Sequence, residues 1–322
     1  MKVLQYTGRE DIAMVYIARM DNSRLVEFIE SRQPPLPLKE KWVIIVSTLF
    51  GCPVGCPICD AGNFYKGKLT ANEIFEQIDF LVGKRFPDRN IAVKKFKIQF
   101  ARMGEPSFNP NVLKVLKSLP SKYNAPGMMP CISTIAPSGT DKFFDELIEI
   151  KDDLYKGKFQ LQFSIHTTDI ELRDRLIPVK KWDFAKIAGY GKRFYKTGDR
   201  KITLNFALER KSELDPKILH QYFDPDKFLI KVTPLNPTYK AAQNRLSSHI
   251  DPCQQQSGDE IAGKLQEYGY EVIISIGEAT ENYIGSNCGQ YVMSHSKEKG
   301  AIPDGYTYTL KDYTLKKHNN TT

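Results

Sequence analysis

From about residue 42 onward, apolar positions fall into short runs separated by stretches with helical spacing. Seven runs read as strands: Trp42–Ser47, Lys95–Met103, Met128–Ile135, Phe159–His166, Lys201–Leu208, Phe228–Leu235 and Tyr270–Ile276. In the fourth, Phe159, Leu161, Phe163 and Ile165 alternate with Gln160, Gln162, Ser164 and His166. In the fifth, Ile202, Leu204, Phe206 and Leu208 alternate with polar residues such as Thr203 and Asn205. A parallel strand covered by helices on both faces should be apolar nearly throughout. One oily and one polar face predicts a barrel or open barrel, with helices outside and a polar lumen within. A wet edge strand also alternates, but several strands share the pattern here. Thr70 and Glu73 make a capping box ahead of Ile74, Ile78 and Leu81, and Ser257 with Glu260 predicts another ahead of a helix ending near Gly269. Strands and helices in alternation imply a parallel sheet.

A chain of 322 residues, 41% of them hydrophobic, can bury a substantial core. No apolar run approaches the roughly 20 residues that span a bilayer. The charged N-terminal stretch does not read as a signal peptide, so a cytoplasmic protein is expected. In a reducing compartment, six cysteines point to metal or redox chemistry rather than disulfides. The net charge of +8 and pI near 9.0 would suit RNA or a phosphate-bearing partner, and equally a solvated surface.

The first strand runs into Phe50-Gly51-Cys52-Pro53-Val54-Gly55-Cys56-Pro57-Ile58-Cys59, three thiols in one short loop. Structural zinc takes four closed ligands, and no nearby histidine or cysteine supplies a fourth. Ferredoxin-type loops supply four cysteines to a cluster. Three cysteines on a 4Fe–4S cubane leave one iron open, and S-adenosylmethionine (SAM) can chelate it. One electron then cleaves SAM to a 5′-deoxyadenosyl radical.

This loop resembles the signature of the radical SAM superfamily, which implies an α/β fold with a partial (β/α)6-type barrel. More of the chain is similar to one branch, the RlmN/Cfr-type RNA adenine C-methyltransferases. The similar segments are Phe100-Ala-Arg-Met-Gly-Glu-Pro-Ser-Phe-Asn109, Cys131-Ile-Ser-Thr134, Ser164-Ile-His166 with Glu171–Pro178, Pro234-Leu-Asn-Pro237 and Asn287-Cys-Gly-Gln290. They occur in the family's order over residues 42–292, the expected barrel domain, between an extension 1–41 and a tail 293–322. The resemblance implies that Gly104 and Glu105 hold the SAM amino-acid moiety, and that Ser133, Ser164, Ile165, His166 and Asn236 line the rest of its pocket. It assigns Cys288 the role of an S-methylcysteine that passes a one-carbon unit to an sp2 carbon. An ordinary turn residue at Asn236 and a packed thiol at Cys288 are the bland alternatives.

The chain departs from the family in two places. Seven residues before the first cluster cysteine, where the family carries an adduct-releasing cysteine, stands Ile45. Only about 40 residues precede the first barrel strand, fewer than the family's RNA-binding extension needs. Glu27 is a candidate for the family's general base, although the Gln33–Leu38 loop shifts the spacing; the alternative is an ordinary solvent-facing glutamate. Cys131 reads as core packing and Cys253 as a loop thiol, and either could stand in for the release cysteine. The expected function is a radical SAM methyltransferase acting on an RNA base or a small heterocycle, with a reductant such as flavodoxin or ferredoxin. The rivals are a radical SAM enzyme that makes no methylcysteine, and a non-catalytic iron–sulfur or RNA-binding protein.

Overall fold

A computed structural model describes residues 1–62, 64–250, 256–277, 279–287, 291–294 and 305–314. One sheet of eleven strands organises them. In chain order these are β1 (Lys2–Arg9), β2 (Ala13–Arg19), β3 (Leu25–Ser31), β4 (Lys41–Val46), β5 (Lys95–Phe100) and β6 (Met128–Thr134). They continue with β7 (Gln160–Ser164), β8 (Ile202–Leu208), β9 (Phe228–Pro234), β10 (Val272–Ile274) and β11 (Lys311–Asp312). The order across the sheet is β10-β9-β8-β7-β6-β5-β4-β3-β2-β1-β11. β4 to β10 run parallel, each beside the next. β10 and β11 stand at opposite ends, so the barrel is open.

All seven expected strands form, each trimmed by a residue or more at an end. In β5 the apolar Phe96, Ile98 and Phe100 are buried, while Lys95, Lys97 and Gln99 are half-buried on the opposite face. The oily face meets a helical layer. The helix Ala71–Arg85 buries Ile74, Ile78, Leu81 and Val82 against it, and its capping box closes as expected. Glu73 N–H donates to Thr70 Oγ1 at 3.1 Å and Thr70 N–H to Glu73 Oε2 at 2.8 Å, which satisfies two free N–H groups of the first turn. The helix Asn111–Lys122 buries Val112, Leu113, Val115, Leu116 and Leu119 beside it. The second expected cap is not where the sequence placed it. The later helix spans Gln256–Gln266, so Ser257 lies inside it.

Residues 2–31, which the sequence suggested only as an extension, continue the sheet. β1, β2 and β3 are antiparallel, and β3 pairs antiparallel with β4. β2 is buried on both faces. Tyr16 packs on Phe28 and Phe80 on one side, with centroids 5.5 and 5.2 Å away. On the other side Ile12, Val15, Ile17 and Ile29 pack with Ile284 and Tyr291. The N-terminal strands thereby seat part of the C-terminal segment, whose residues 281, 286 and 287 also line the cavity described below. Among the described residues no helix is long and apolar enough to cross a membrane.

Candidate active site

The polar face of β4–β9, the loops beyond their C-terminal ends and the segments 275–277 and 281–287 enclose a cavity of about 650 Å³. Open parallel sheets place ligands at the C-terminal ends of their strands for the same topological reason. Cys52, Cys56 and Cys59 lie on its wall, as do Gly104, Glu105, Ser133, Ser164, His166 and Asn236. Residues from five separate stretches of sequence therefore meet at one site.

The cysteine loop is held from several sides. Thr48 and Leu49 N–H both donate to Met103 O, at 2.9 and 3.0 Å, joining the exit of β4 to the exit of β5. Gly51 has φ +77, and a Cβ there would sit 2.2 Å from Phe64 O. Thr238 Oγ1 donates to Ile58 O at 3.1 Å, and Asn244 Nδ2 to Pro57 O at 3.3 Å. Asp60, next to Cys59 and buried, accepts from the N–H groups of Tyr239 and Lys240 at 3.1 and 2.9 Å and from Tyr306 Oη at 2.9 Å. The sequence analysis missed Asp60; its signal is an acidic residue directly after the third cysteine.

The three thiols suit a cationic inorganic group. Burial pushes the Cys56 thiol well above its ordinary value, with neighbouring Cys59, Cys52 and Glu105 pushing the same way. Burial also pushes Cys52 up to about 11. Thiolates crowded here require a compensating cation, which iron in a cluster provides. Among the described residues no three His, Cys, Asp or Glu side chains are spaced for a single metal ion. A cluster in which each thiolate takes its own iron fits this donor set.

Gly104 and Glu105 follow β5 at the cavity wall. Gly104 has φ +96, and an added Cβ would lie 2.4 Å from Leu49 Cβ, so only glycine fits. Glu105 is 5% exposed. Its Oε1 accepts from Ser107 N–H (3.1 Å), Ser107 Oγ (2.8 Å) and Thr134 Oγ1 (2.5 Å), and its Oε2 accepts from Ile135 N–H (2.9 Å). Burial raises its carboxyl pKa and these bonds oppose the rise. Oε2, with one partner, keeps a free lone pair for a cationic ligand.

β7 ends at Ser164, before the His166 expected within it. His166 adopts φ +69, a conformation uncommon outside glycine, and still faces the cavity. Its Nδ1 accepts from Ala207 N–H at 3.3 Å, which makes Nε2 the N–H donor of a neutral ring. Burial, with help from Arg173, holds its pKa down to about 4. Ser133 lies on the same wall, with Gln162 Nε2 donating to its Oγ at 3.1 Å. Ile165 differs from its neighbours: its side chain is fully buried in the main core and only its backbone is near the site.

Glu27 is not solvent-facing. It is fully buried on β3 and ion-paired with Arg102, which also donates to Ser286 O at 3.2 Å and Gly285 O at 2.9 Å. Glu27 Oε2 in turn accepts from Val292 N–H at 3.2 Å. The pair therefore grips the chain on both sides of residues 288–290. Cys288 and Cys253 lie outside the described residues. Ile45 lines the cavity, so the position of the family's release cysteine is at the site but carries no thiol. Cys131 is buried in β6, its Sγ 2.9 Å from Gln162 Nε2.

No protein-family model matches the chain. It is 28% identical over 211 residues to a probable dual-specificity RNA methyltransferase RlmN of Mycolicibacterium gilvum, a match covering 61% of this chain and 54% of the relative. A namesake from Mycolicibacterium smegmatis is 25% identical over 276 residues, covering 77% of this chain and 67% of the relative. The matched region thus spans from about half to two thirds of the length of these curated relatives. Among solved structures, a radical SAM methyltransferase from Sphaerobacter thermophilus superposes with a TM-score of 0.68 at 18% identity, covering 90% of this chain and 80% of that one. The chain is thus similar in sequence to RlmN-named RNA methyltransferases and shares the fold of a radical SAM methyltransferase.

Proposed function

We propose that the chain is a radical SAM methyltransferase whose Cys288 carries the transferred carbon as an S-methyl group. One observation carries this: Cys52, Cys56 and Cys59 share a single cavity wall with the Gly104-Glu105, Ser133, Ser164-His166 and Asn236 positions. Bound at the three thiols, a 4Fe–4S cluster would supply the one-electron reduction of SAM.

The chain's own residues would place SAM. The free lone pair of Glu105 suits its ammonium group, an interaction stronger than a neutral hydrogen bond because both partners are charged. Gly104 lets the backbone approach where any side chain would strike Leu49. His166, neutral and donating through Nε2, offers a hydrogen bond without adding charge beside a sulfonium cation. Ser286 and Asn287, which immediately precede Cys288, line the same cavity and support its assignment as carrier. Base chemistry at Glu27 would require its pair with Arg102 to open, so we assign Glu27 to positioning the Cys288 segment. With Ile45 inert, release of an adduct would fall to Cys131, to Cys253 or to a route without a disulfide. The acceptor is an RNA base or a smaller heterocycle, and flavodoxin or ferredoxin is a suitable reductant.

Mass spectrometry tests the carrier role. Protein incubated with SAM bearing a deuterated methyl group should yield a Cys288-containing peptide heavier by one labelled carbon unit. An unlabelled peptide, together with normal product formation by Cys288→Ala, would leave a radical SAM enzyme that uses no methylcysteine.

A further inference from the structure

The proposed chemistry occupies the upper end of the lumen and leaves three lysines below it without a role. Lys41, at the start of β4, lies opposite Lys95 on β5, and Val43 lies opposite Lys97. Paired residues on parallel strands share a face, as do residues two apart on one strand. Lys41, Lys95 and Lys97 are each half-buried and share one side of β4 and β5 with Gln99; of the three, Lys41 lines the cavity, and Lys95 lines a separate hollow with Arg200. Among the described residues none of the three has an ion pair or a side-chain hydrogen bond. Burial and the surrounding cations, Arg200, Lys41 and Lys97, lower Lys95 to about 8. Burial and Lys97 also lower Lys41, with the carboxylate of Glu281 opposing.

Like charges side by side across a sheet are destabilising, and partial burial removes the water that would screen them. An anion entering the lumen reverses both costs. A phosphate monoester answers such a cluster better than a carboxylate, because it brings up to two charges and three acceptor oxygens. The level is also well separated from the cluster loop. At about 3.3 Å per residue, Lys97 lies on the order of 13 Å along the strand from Ala101. The cavity wall carries no Phe, Tyr or Trp among the described residues, so it offers no face on which the bases of a single strand would stack.

We propose that the lower lumen holds the phosphate of a small phosphorylated acceptor, anchored by Lys41 and Lys97. This rests on the proposal that the cavity is the reaction chamber, and it narrows the acceptor to a phosphate-bearing small molecule rather than an RNA strand.

Calorimetric titration of the full, cluster-reconstituted chain with inorganic phosphate, and separately with SAM, tests it. Phosphate should bind the wild type and raise its Tm, because a ligand that binds only the folded state stabilises it. Lys41→Met/Lys97→Met should weaken phosphate binding by roughly tenfold or more while SAM binding persists, since each tenfold step reflects about 1.4 kcal/mol of lost interaction. The double variant relieves repulsion, so its Tm should match or exceed that of the wild type; if it does not fold, Lys97→Gln alone decides. Phosphate affinity unchanged in the variant, or no phosphate binding by protein that binds SAM, would overturn the proposal. So would an RNA oligonucleotide that binds through the same lysines and is not displaced by phosphate. Failure of SAM to bind would count against the reaction chamber itself, and the phosphate titration would still decide the anion site.

Discussion

Alanine at any one of Cys52, Cys56 or Cys59 should abolish iron loading and, with it, every SAM-dependent activity. The three thiols are held on one wall by the Gly51 turn, by Thr238 and Asn244, and by the bonds to Asp60. Removing one leaves two ligands where a cubane with one open iron needs three. Anaerobically reconstituted wild-type protein should hold about four irons, and each variant should lose nearly all of them while keeping its fold. Cys131→Ala is the control, since Cys131 is buried in β6 and absent from the cavity wall. It should load iron like the wild type. A full complement of iron in any of the three loop variants would place the metal elsewhere.

The second large effect is expected at Glu27 and Arg102. Both are almost completely buried, and burial alone pushes the Glu27 carboxyl upward against the attraction of Arg102. Arg102→Met leaves the carboxylate without its guanidinium and should cost about 3–5 kcal/mol in urea unfolding, the usual penalty for breaking a buried pair. Glu27→Gln/Arg102→Met should lose less than the sum of the single changes, because no lone charge remains inside. The same pair binds Gly285 O, Ser286 O and Val292 N–H, so labelling of Cys288 by deuterated SAM should fall as well. Wild-type stability in Arg102→Met would show that the pair contributes nothing.

These two sites differ in how far they could be read from the sequence. The cysteine loop is local: three residues, a glycine and the end of a strand suffice. The lumen was legible too, because the polar alternation of β7 and β8 repeats from strand to strand. Glu27 and Arg102 are 75 residues apart, and neither has a local pattern that announces a partner. The N-terminal strands were hidden for a related reason. β2 is buried on both faces, one of them by Ile284 and Tyr291 from the far end of the chain, so it lacks the alternation of a half-exposed strand. Ile165 lies between two cavity residues with its side chain in the core, on the oily side where the alternation of Phe159, Leu161 and Phe163 placed it. The lysine cluster needed the register of β4 against β5, which no single strand reveals.

The most direct test of the central claim is chromatographic analysis of SAM after incubation with the reduced, iron-reconstituted chain. The account predicts 5′-deoxyadenosine and methionine from the wild type and neither from Cys56→Ala. Intact SAM in the presence of a fully loaded, reduced wild-type protein would contradict it.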